Sequence, residues 1–500
     1  MDSPMVSFLS NVFKLTTGTT LAQIAGIILI PVITRIYSPE FFGVNQLFIS
    51  IATVIVGISS LSYDSTIMLP KHDEDSMNIF ALSTLWILGT SVAVGIIFIG
   101  FGDWFGGFFG TPAIADYFIW LPFFVTLSSF FVLLSEWLSR RVKFGALSKG
   151  IVMSTASTKI LQIGGGLVTA SPLGLILGNM GGTGLAVLFM LRELKEDVAL
   201  LKTVTLRRMK ELAIRYKDFA IYGSAGGIAN SMSWELPAFM LAYFFNPTVL
   251  GYYALATMAV RLPMGMVGTA IAQVFYQKAS EEKNHTGSVK AVVREIHTRL
   301  IAIGIFPFIV FVILAEDLFT FIFGVNWLVA GTYAQILAPW FFAVFIFTPI
   351  SSLFGVLERQ RGYLSFEIVT LCTWALIFYV GGTFGDPFLT LTLFSLCGML
   401  IWGSKAAYLV RVSGAGYRDS TLSLFRHLLL SVIVSLPLMI TVYMGLPVLI
   451  LFGVAGITAV VYYLLLFFTD TLIRREFMGI LQGSIPAKYI DWMEQSGIFR

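Results

Sequence analysis

Stretches of about twenty apolar residues recur from one end of this 500-residue chain to the other, and they limit its fold more tightly than anything else in it. Each is long enough to cross a hydrocarbon core of roughly 30 Å. A segment in hydrocarbon must satisfy its own backbone polar groups, so repeated spans of this length mean helices packed in a bilayer. With 57% hydrophobic and 12% charged residues, little chain remains for a soluble domain. About 14 spans are expected, near 10–34, 42–63, 77–101, 114–137, 148–170, 173–191, 219–244, 250–273, 300–323, 329–356, 363–382, 387–410, 426–444 and 447–469. The start, MDSPMVSFLSNVFK, has no basic region and no small-residue cleavage site, so the first span is expected to be retained.

Basic residues orient the spans. The loops after even-numbered spans and the tail, with Lys149, Lys405 and Arg426 toward the adjoining span ends, carry 28 of the 32 lysines and arginines. Arg35 alone lies on the opposite side, and Lys14, Lys159 and Arg261 lie within spans. This asymmetry predicts that both termini are cytoplasmic.

The middle of the chain starts over. Pro39, Gly43 and Leu47 are matched by Pro247, Gly251 and Leu255. Phe109-Gly110 matches Phe323-Gly324, and Gly164-Gly165 matches Gly381-Gly382, in the same order. Six spans separate the copies, an even number, so the halves point the same way. The expected fold is an all-α integral membrane protein with two parallel six-helix lobes, 1–192 and 219–411, related by a pseudo-two-fold along the membrane normal. Two extra helices occupy 412–469, and a cytoplasmic tail 470–500. The linker 193–218 is cytoplasmic and amphipathic: from Thr205 to Ala220, Leu206, Met209, Ala213, Tyr216 and Ala220 share one face, which is expected to rest on the membrane surface. The tail from Asp470 has a similar pattern.

Charges inside spans are costly, so each calls for a wet cavity or a partner. At 1.5 Å per residue, Arg261 lies roughly 15 Å below the outer surface, counted from Gly251, and Lys159 roughly 16 Å above the inner surface, counted from Ser148. Glu235 lies at the depth of Arg261. Two readings stand: a structural Glu235–Arg261 ion pair, or an electropositive floor formed by Arg261 and Lys159 for an anionic ligand, with Glu235 tuning Arg261. Lys14 can snorkel to the cytoplasm, and Arg35 can anchor the outer end of span one. Asp64, Glu136 and Glu358 sit at cytoplasmic span ends.

Several classes are excluded or disfavoured. The four histidines fall in or beside polar loops with no metal-ligand spacing, and no Gly-Lys-Ser/Thr follows the glycine runs. Cys372 and Cys397 read as packing residues. A membrane glycosyltransferase needs a large extramembrane loop with carboxylates, and the longest outer connection, near Gly102–Ala113, is short. No cofactor and no nucleic acid are expected, and the chain reads as a transporter rather than an enzyme.

Tyr63-Asp64, Ile67, Leu69-Pro70-Lys71, and the ordered set Tyr216-Lys217-x-Phe219, Asn230, Pro237, Gly251-Tyr252, Arg261-x-Pro263 and Gln273-Val274-Phe275-Tyr276 resemble the Wzx-like flippases of the multidrug/oligosaccharidyl-lipid/polysaccharide exporter superfamily. The likeness covers about 1–470. It implies translocation of an undecaprenyl-diphosphate-linked oligosaccharide, an O-antigen or other surface polysaccharide unit, across the bacterial inner membrane by alternating access. It also implies H+ or Na+ as a coupling ion and other polysaccharide assembly proteins as partners. Arg261, Lys159, Glu235, Lys14 and Arg35 are the candidate substrate-binding residues. The alternative is a cation-coupled small-molecule or multidrug exporter of the same superfamily. Charge sign separates the two, because a lipid diphosphate calls for cations in the cavity and a cationic drug for a carboxylate.

Overall fold

A computed structural model describes residues 26–357 and 359–469. Lys14, Glu358, most of the first expected span and the amphipathic tail lie outside the described residues. Every regular element among the described residues is helical. In order these are α1 (Gly26–Ile36), α2 (Pro39–Ser59), α3 (Asp73–Gly100), α4 (Gly102–Phe108), α5 (Leu121–Arg140), α6 (Phe144–Val168), α7 (Pro172–Glu193), α8 (Val198–Leu201) and α9 (Leu206–Arg215). The chain continues through α10 (Ser224–Phe244), α11 (Pro247–Thr286), α12 (Lys290–Phe323), α13 (Leu328–Ile350), α14 (Leu353–Val356), α15 (Gln360–Phe384), α16 (Pro387–Val412), α17 (Tyr417–Tyr443) and α18 (Val448–Thr469).

Among the described residues, 11 helical segments are long and apolar enough to cross a membrane. Three more helices, α1, α10 and α11, lie at the remaining expected spans. Only 17% of the most apolar window of α18 is buried, so most of its apolar surface faces outward, as suits a helix solvated by lipid.

The chain packs as two compact units. One comprises the described part of Met1–Met266 with Phe319–Leu337 and Tyr363–Cys397; the other comprises Val267–Leu318, Ala338–Gly362 and the described part of Gly398–Arg500.

In the first unit the two copies of the repeated motif meet. Each begins a helix in the same way. Ser38 Oγ accepts the Phe41 amide at 3.4 Å before Pro39, and Asn246 Oδ1 accepts the Val249 amide at 3.0 Å before Pro247. A polar cap followed by proline is a strong helix start. Proline and glycine four residues apart share one helix face, and here the faces pack reciprocally. A Cβ at Gly43 would lie 1.7 Å from the Pro247 carbonyl oxygen, and one at Gly251 1.8 Å from that of Pro39. Only glycine permits this approach at both positions. Trp327, fully buried, seals the same region: its Nε1 donates to the Thr34 carbonyl at 2.9 Å and its ring meets Phe42 edge-on.

At the basic ends of the helices, Arg140 Nη1 donates to the carbonyls of Ile67 and Pro70, and Asp73 accepts from both Arg140 and Arg141. Arg141 also pairs with the buried Asp197, which accepts from Trp137 Nε1. The Tyr63–Lys71 motif is thus a loop clamped by Arg140. The linker departs from expectation. Met209, Leu212 and Tyr216 are buried, the last two packing with Tyr63 and Trp137 of the first half, while Leu206 (80% exposed) and Ile214 (60%) stay outside. Protein, not lipid alone, covers the apolar face. Arg208 fixes the helix to α3 through Asp75 at 2.7 Å.

In the second unit α17 and α18 pack on α12. Phe306 stacks on Tyr462 at 4.5 Å, and Tyr462 Oη donates to the Ala302 carbonyl at 2.7 Å. Two histidines expected in loops are instead buried here, because serines satisfy them: His297 Nδ1 meets Ser420 Oγ at 3.0 Å, and His427 meets Ser423. Cys372 is exposed on α15 rather than packed, since only apolar neighbours in sequence, not its position on the helix, had suggested burial.

Candidate functional site

The first unit contains a cavity of about 380 Å³ between α1, α2, α6, α7 and α11. Among the described residues its polar lining is Asn45, Gln46, Lys159, Gln162, Asn179, Thr257 and Arg261, with no carboxylate. Lys159 and Arg261, which the sequence placed at similar depth in different halves, therefore face the same space.

Lys159 is held by its own helix. Gln162 lies three residues on, a spacing that puts both side chains on one face. Lys159 Nζ donates to Gln162 Oε1 at 3.3 Å. Gln162 is fixed from three directions. Its carbonyl accepts from Tyr37 Oη at 2.7 Å, and its Nε2 donates to Asn179 Oδ1 at 3.2 Å and to the Leu175 carbonyl at 3.4 Å. α7 comes this close because Gly178 faces Gln162: a Cβ there would lie 2.8 Å from the Gln162 backbone nitrogen. Asn179 Nδ2 in turn donates to Asn45 Oδ1 at 3.1 Å.

The Arg261 guanidinium lies 4.4 Å over the Trp234 ring and is solvent-exposed on the cavity side. Stacking on an aromatic face orients the planar cation while leaving its five donors for another partner. Glu235 does not pair with it. Its Oε2 instead accepts from Ser50 Oγ at 2.6 Å, and Ser50 accepts from Gln46 Nε2 at 3.1 Å. Of the two sequence readings, the Glu235–Arg261 ion pair is the one the geometry lacks among the described residues. Glu235 is not among the residues that line the cavity, and hydrogen bonds through Ser50 connect it to Gln46, which is.

Arg35 is exposed at the end of α1 and does not line the cavity. Sequence reasoning passed over Asn45, Gln46, Gln162 and Asn179, although amides in apolar runs were signal enough. It also missed Lys405, buried on α16 with its ammonium 4.1 Å over Trp402. A second cavity, about 450 Å³ in the other unit, is apolar apart from a few groups such as the mutually bonded His297 and Ser420, and among the described residues no lysine or arginine lines it. Among the described residues no cluster of side chains could hold a metal ion.

The fold has solved counterparts. A lipid II flippase, MurJ, in an inward closed conformation matches with a TM-score of 0.70 at 12% identity, covering 93% of this chain and 99% of that one. An inward-facing multidrug resistance MATE family transporter of the MOP superfamily matches with 0.59 at 14% identity, over 79% and 95%. A MOP superfamily transporter from Pyrococcus furiosus, described as having a binding pocket of reverse polarity, matches with 0.51 at 15% identity, over 82% and 96%. These likenesses show a fold shared with solved membrane transporters. No curated protein matches the sequence. Residues 32–331, which hold both Pro-x-x-x-Gly motifs and both cavity cations, match the family described as "Polysaccharide biosynthesis protein"; that is more than half of the chain, which therefore belongs to this family.

Proposed function

We propose that this multi-pass membrane protein is a flippase for a polyprenyl-diphosphate-linked oligosaccharide, an O-antigen or other surface polysaccharide unit, and that it works by alternating access in the bacterial inner membrane with both termini cytoplasmic. The observation that carries this reading is the charge of the cavity: among the described residues Lys159 and Arg261 face it, four amides and Thr257 complete its polar lining, and no carboxylate does. A diphosphate is acceptor-only and multiply charged, so an ammonium and a bidentate guanidinium facing one cavity match it. An exporter of cationic drugs would place a carboxylate there, and Glu235, deep in its span, instead accepts from Ser50. The reciprocal Gly43–Gly251 contact lies at the arginine- and lysine-poor ends of the helices; in this reading it closes the outer side and parts when the carrier opens outward. An H+ or Na+ gradient is the expected driving force.

Removal of the gene tests this. The lipid-linked unit should accumulate at the cytoplasmic face, and the native gene, but not one carrying Arg261→Ala, should clear it. Normal surface polysaccharide in the deletion strain, with efflux of a cationic dye lost instead, would favour the drug-exporter reading.

A further inference from the structure

Two chains of hydrogen bonds end at neighbouring residues on α2, and their directions are fixed by the charges at their far ends. Lysine can only donate, so Gln162 must turn Oε1 toward Lys159. Gln162 Nε2 must then donate, which agrees with its second partner, the acceptor-only carbonyl of Leu175. Asn179 therefore receives at Oδ1 and donates from Nδ2 to Asn45 Oδ1. Among the described residues both hydrogens of Asn45 Nδ2 are left without an acceptor. Asn45 is only 9% exposed, yet it lines the cavity. The Asn45 amide is therefore open to whatever fills the cavity, water or ligand.

The second chain runs the other way. Ser50 Oγ gives its single hydrogen to Glu235 Oε2 and accepts from Gln46 Nε2. Gln46 is left with Oε1 as its free acceptor, also on the cavity wall, beside the second hydrogen of Nε2. Each chain consists of aligned dipoles that polarise one another. Lys159 thus pushes positive potential toward the Asn45 amide hydrogens, and Glu235 pushes negative potential toward Gln46 Oε1.

We propose that Asn45 and Gln46 form a hydroxyl-reading pair that binds a sugar ring of the transported lipid, Asn45 Nδ2 donating to a hydroxyl oxygen and Gln46 Oε1 accepting a hydroxyl hydrogen. A phosphate group fits this pair poorly, because it offers only acceptors and would meet Gln46 Oε1 oxygen to oxygen. A hydroxyl both gives and takes a hydrogen, and a sugar carries several. The division of labour is then Lys159 and Arg261 for diphosphate, Asn45 and Gln46 for sugar, and it rests on the flippase reading above.

Two measurements on the full chain separate the two roles. One is equilibrium binding of farnesyl diphosphate, which has the diphosphate and no sugar. The other is clearance of the native lipid-linked unit from the cytoplasmic face of the deletion strain. Asn45→Leu and Gln46→Leu should keep farnesyl diphosphate affinity within about twofold and each slow clearance about three- to tenfold, the value of one neutral hydrogen bond. Retained farnesyl diphosphate binding also shows that the variant is folded; should either leucine variant fail to accumulate, Asn45→Ser and Gln46→Met take its place. Unchanged clearance overturns the pair. So does a loss of farnesyl diphosphate affinity as large as the loss of clearance, which would assign Asn45 to the phosphate instead. If Lys159→Ala and Arg261→Ala also leave farnesyl diphosphate binding unchanged, the diphosphate reading of the cavity falls separately.

Discussion

Replacing Gly251 with alanine adds one methyl group where there is no room for it. The new Cβ would sit 1.8 Å from the Pro39 carbonyl oxygen, and the obstacle is backbone in the first turn of α2, not a side chain that can swing aside. An ordinary carbon–oxygen contact is about 3.3 Å, so the starts of α2 and α11 must separate by about 1.5 Å. Overpacking of this kind costs about 1–3 kcal/mol. Gly43→Ala meets the Pro247 carbonyl in the same way and should cost about as much. Reciprocity gives a sharper test than either value. One separation of the two helix starts relieves both clashes, so Gly43→Ala with Gly251→Ala should cost less than the two singles together, by roughly 1 kcal/mol or more. Gly89 in α3 is the control: its Cβ would meet nothing within 4 Å, and alanine there should be neutral or slightly stabilising. Unfolding free energies from SDS titration of the purified protein would measure all four variants. If Gly43→Ala and Gly251→Ala are as stable as Gly89→Ala, or if the double variant is strictly additive, the reciprocal contact is not as described.

The remaining predictions concern the site, the sidedness and the linker. Lys159→Ala and Arg261→Ala should each impair clearance of the lipid-linked unit at near-normal protein level. Because Glu235 bonds to Ser50 and not to Arg261, adding Glu235→Ala to Arg261→Ala should fail to restore transport, and rescue would revive the ion-pair reading. Cysteines at positions 202 and 284 should resist an impermeant thiol reagent in intact cells while one at position 246 reacts; labelling at 202 would reverse the topology. Hydrogen bonds from Arg208 and then Arg207 hold the Glu211 carboxyl below its ordinary value of 4.5. Its contribution is therefore present above that pH and lost as pH falls through the lowered value, so a spin label at position 206 should become more mobile upon acidification, and Glu211→Gln should reduce that dependence, the rest belonging to Asp75, which Arg208 also holds low.

Much of this protein was legible in its sequence for a simple reason. A span must be about 20 apolar residues long and must close its own hydrogen bonds, so length and composition suffice to read the helices. A cap, a proline and a glycine at fixed spacing likewise announced the helix starts at Pro39 and Pro247, since those signals act within a single turn. The depth of a charge along a helix follows from the rise per residue, so Lys159 and Arg261 could be set at similar levels. What the sequence could not contain is the rotation of each helix and its choice of neighbour. Glu235 and Arg261 share a depth, but depth does not make a contact. Only packing turned Glu235 to Ser50 and Arg261 over Trp234. The apolar stripe of α9 was equally clear, yet a stripe does not say whether lipid or protein will cover it, and Tyr63 and Trp137 pack there. His297 and His427 looked like loop residues until serines a helix away or a turn away took up their ring nitrogens. The sequence determined that Pro39, Gly43, Pro247 and Gly251 repeat. The tertiary structure alone decided that the copies pack on each other, because a contact made between segments two hundred residues apart depends on how both are held.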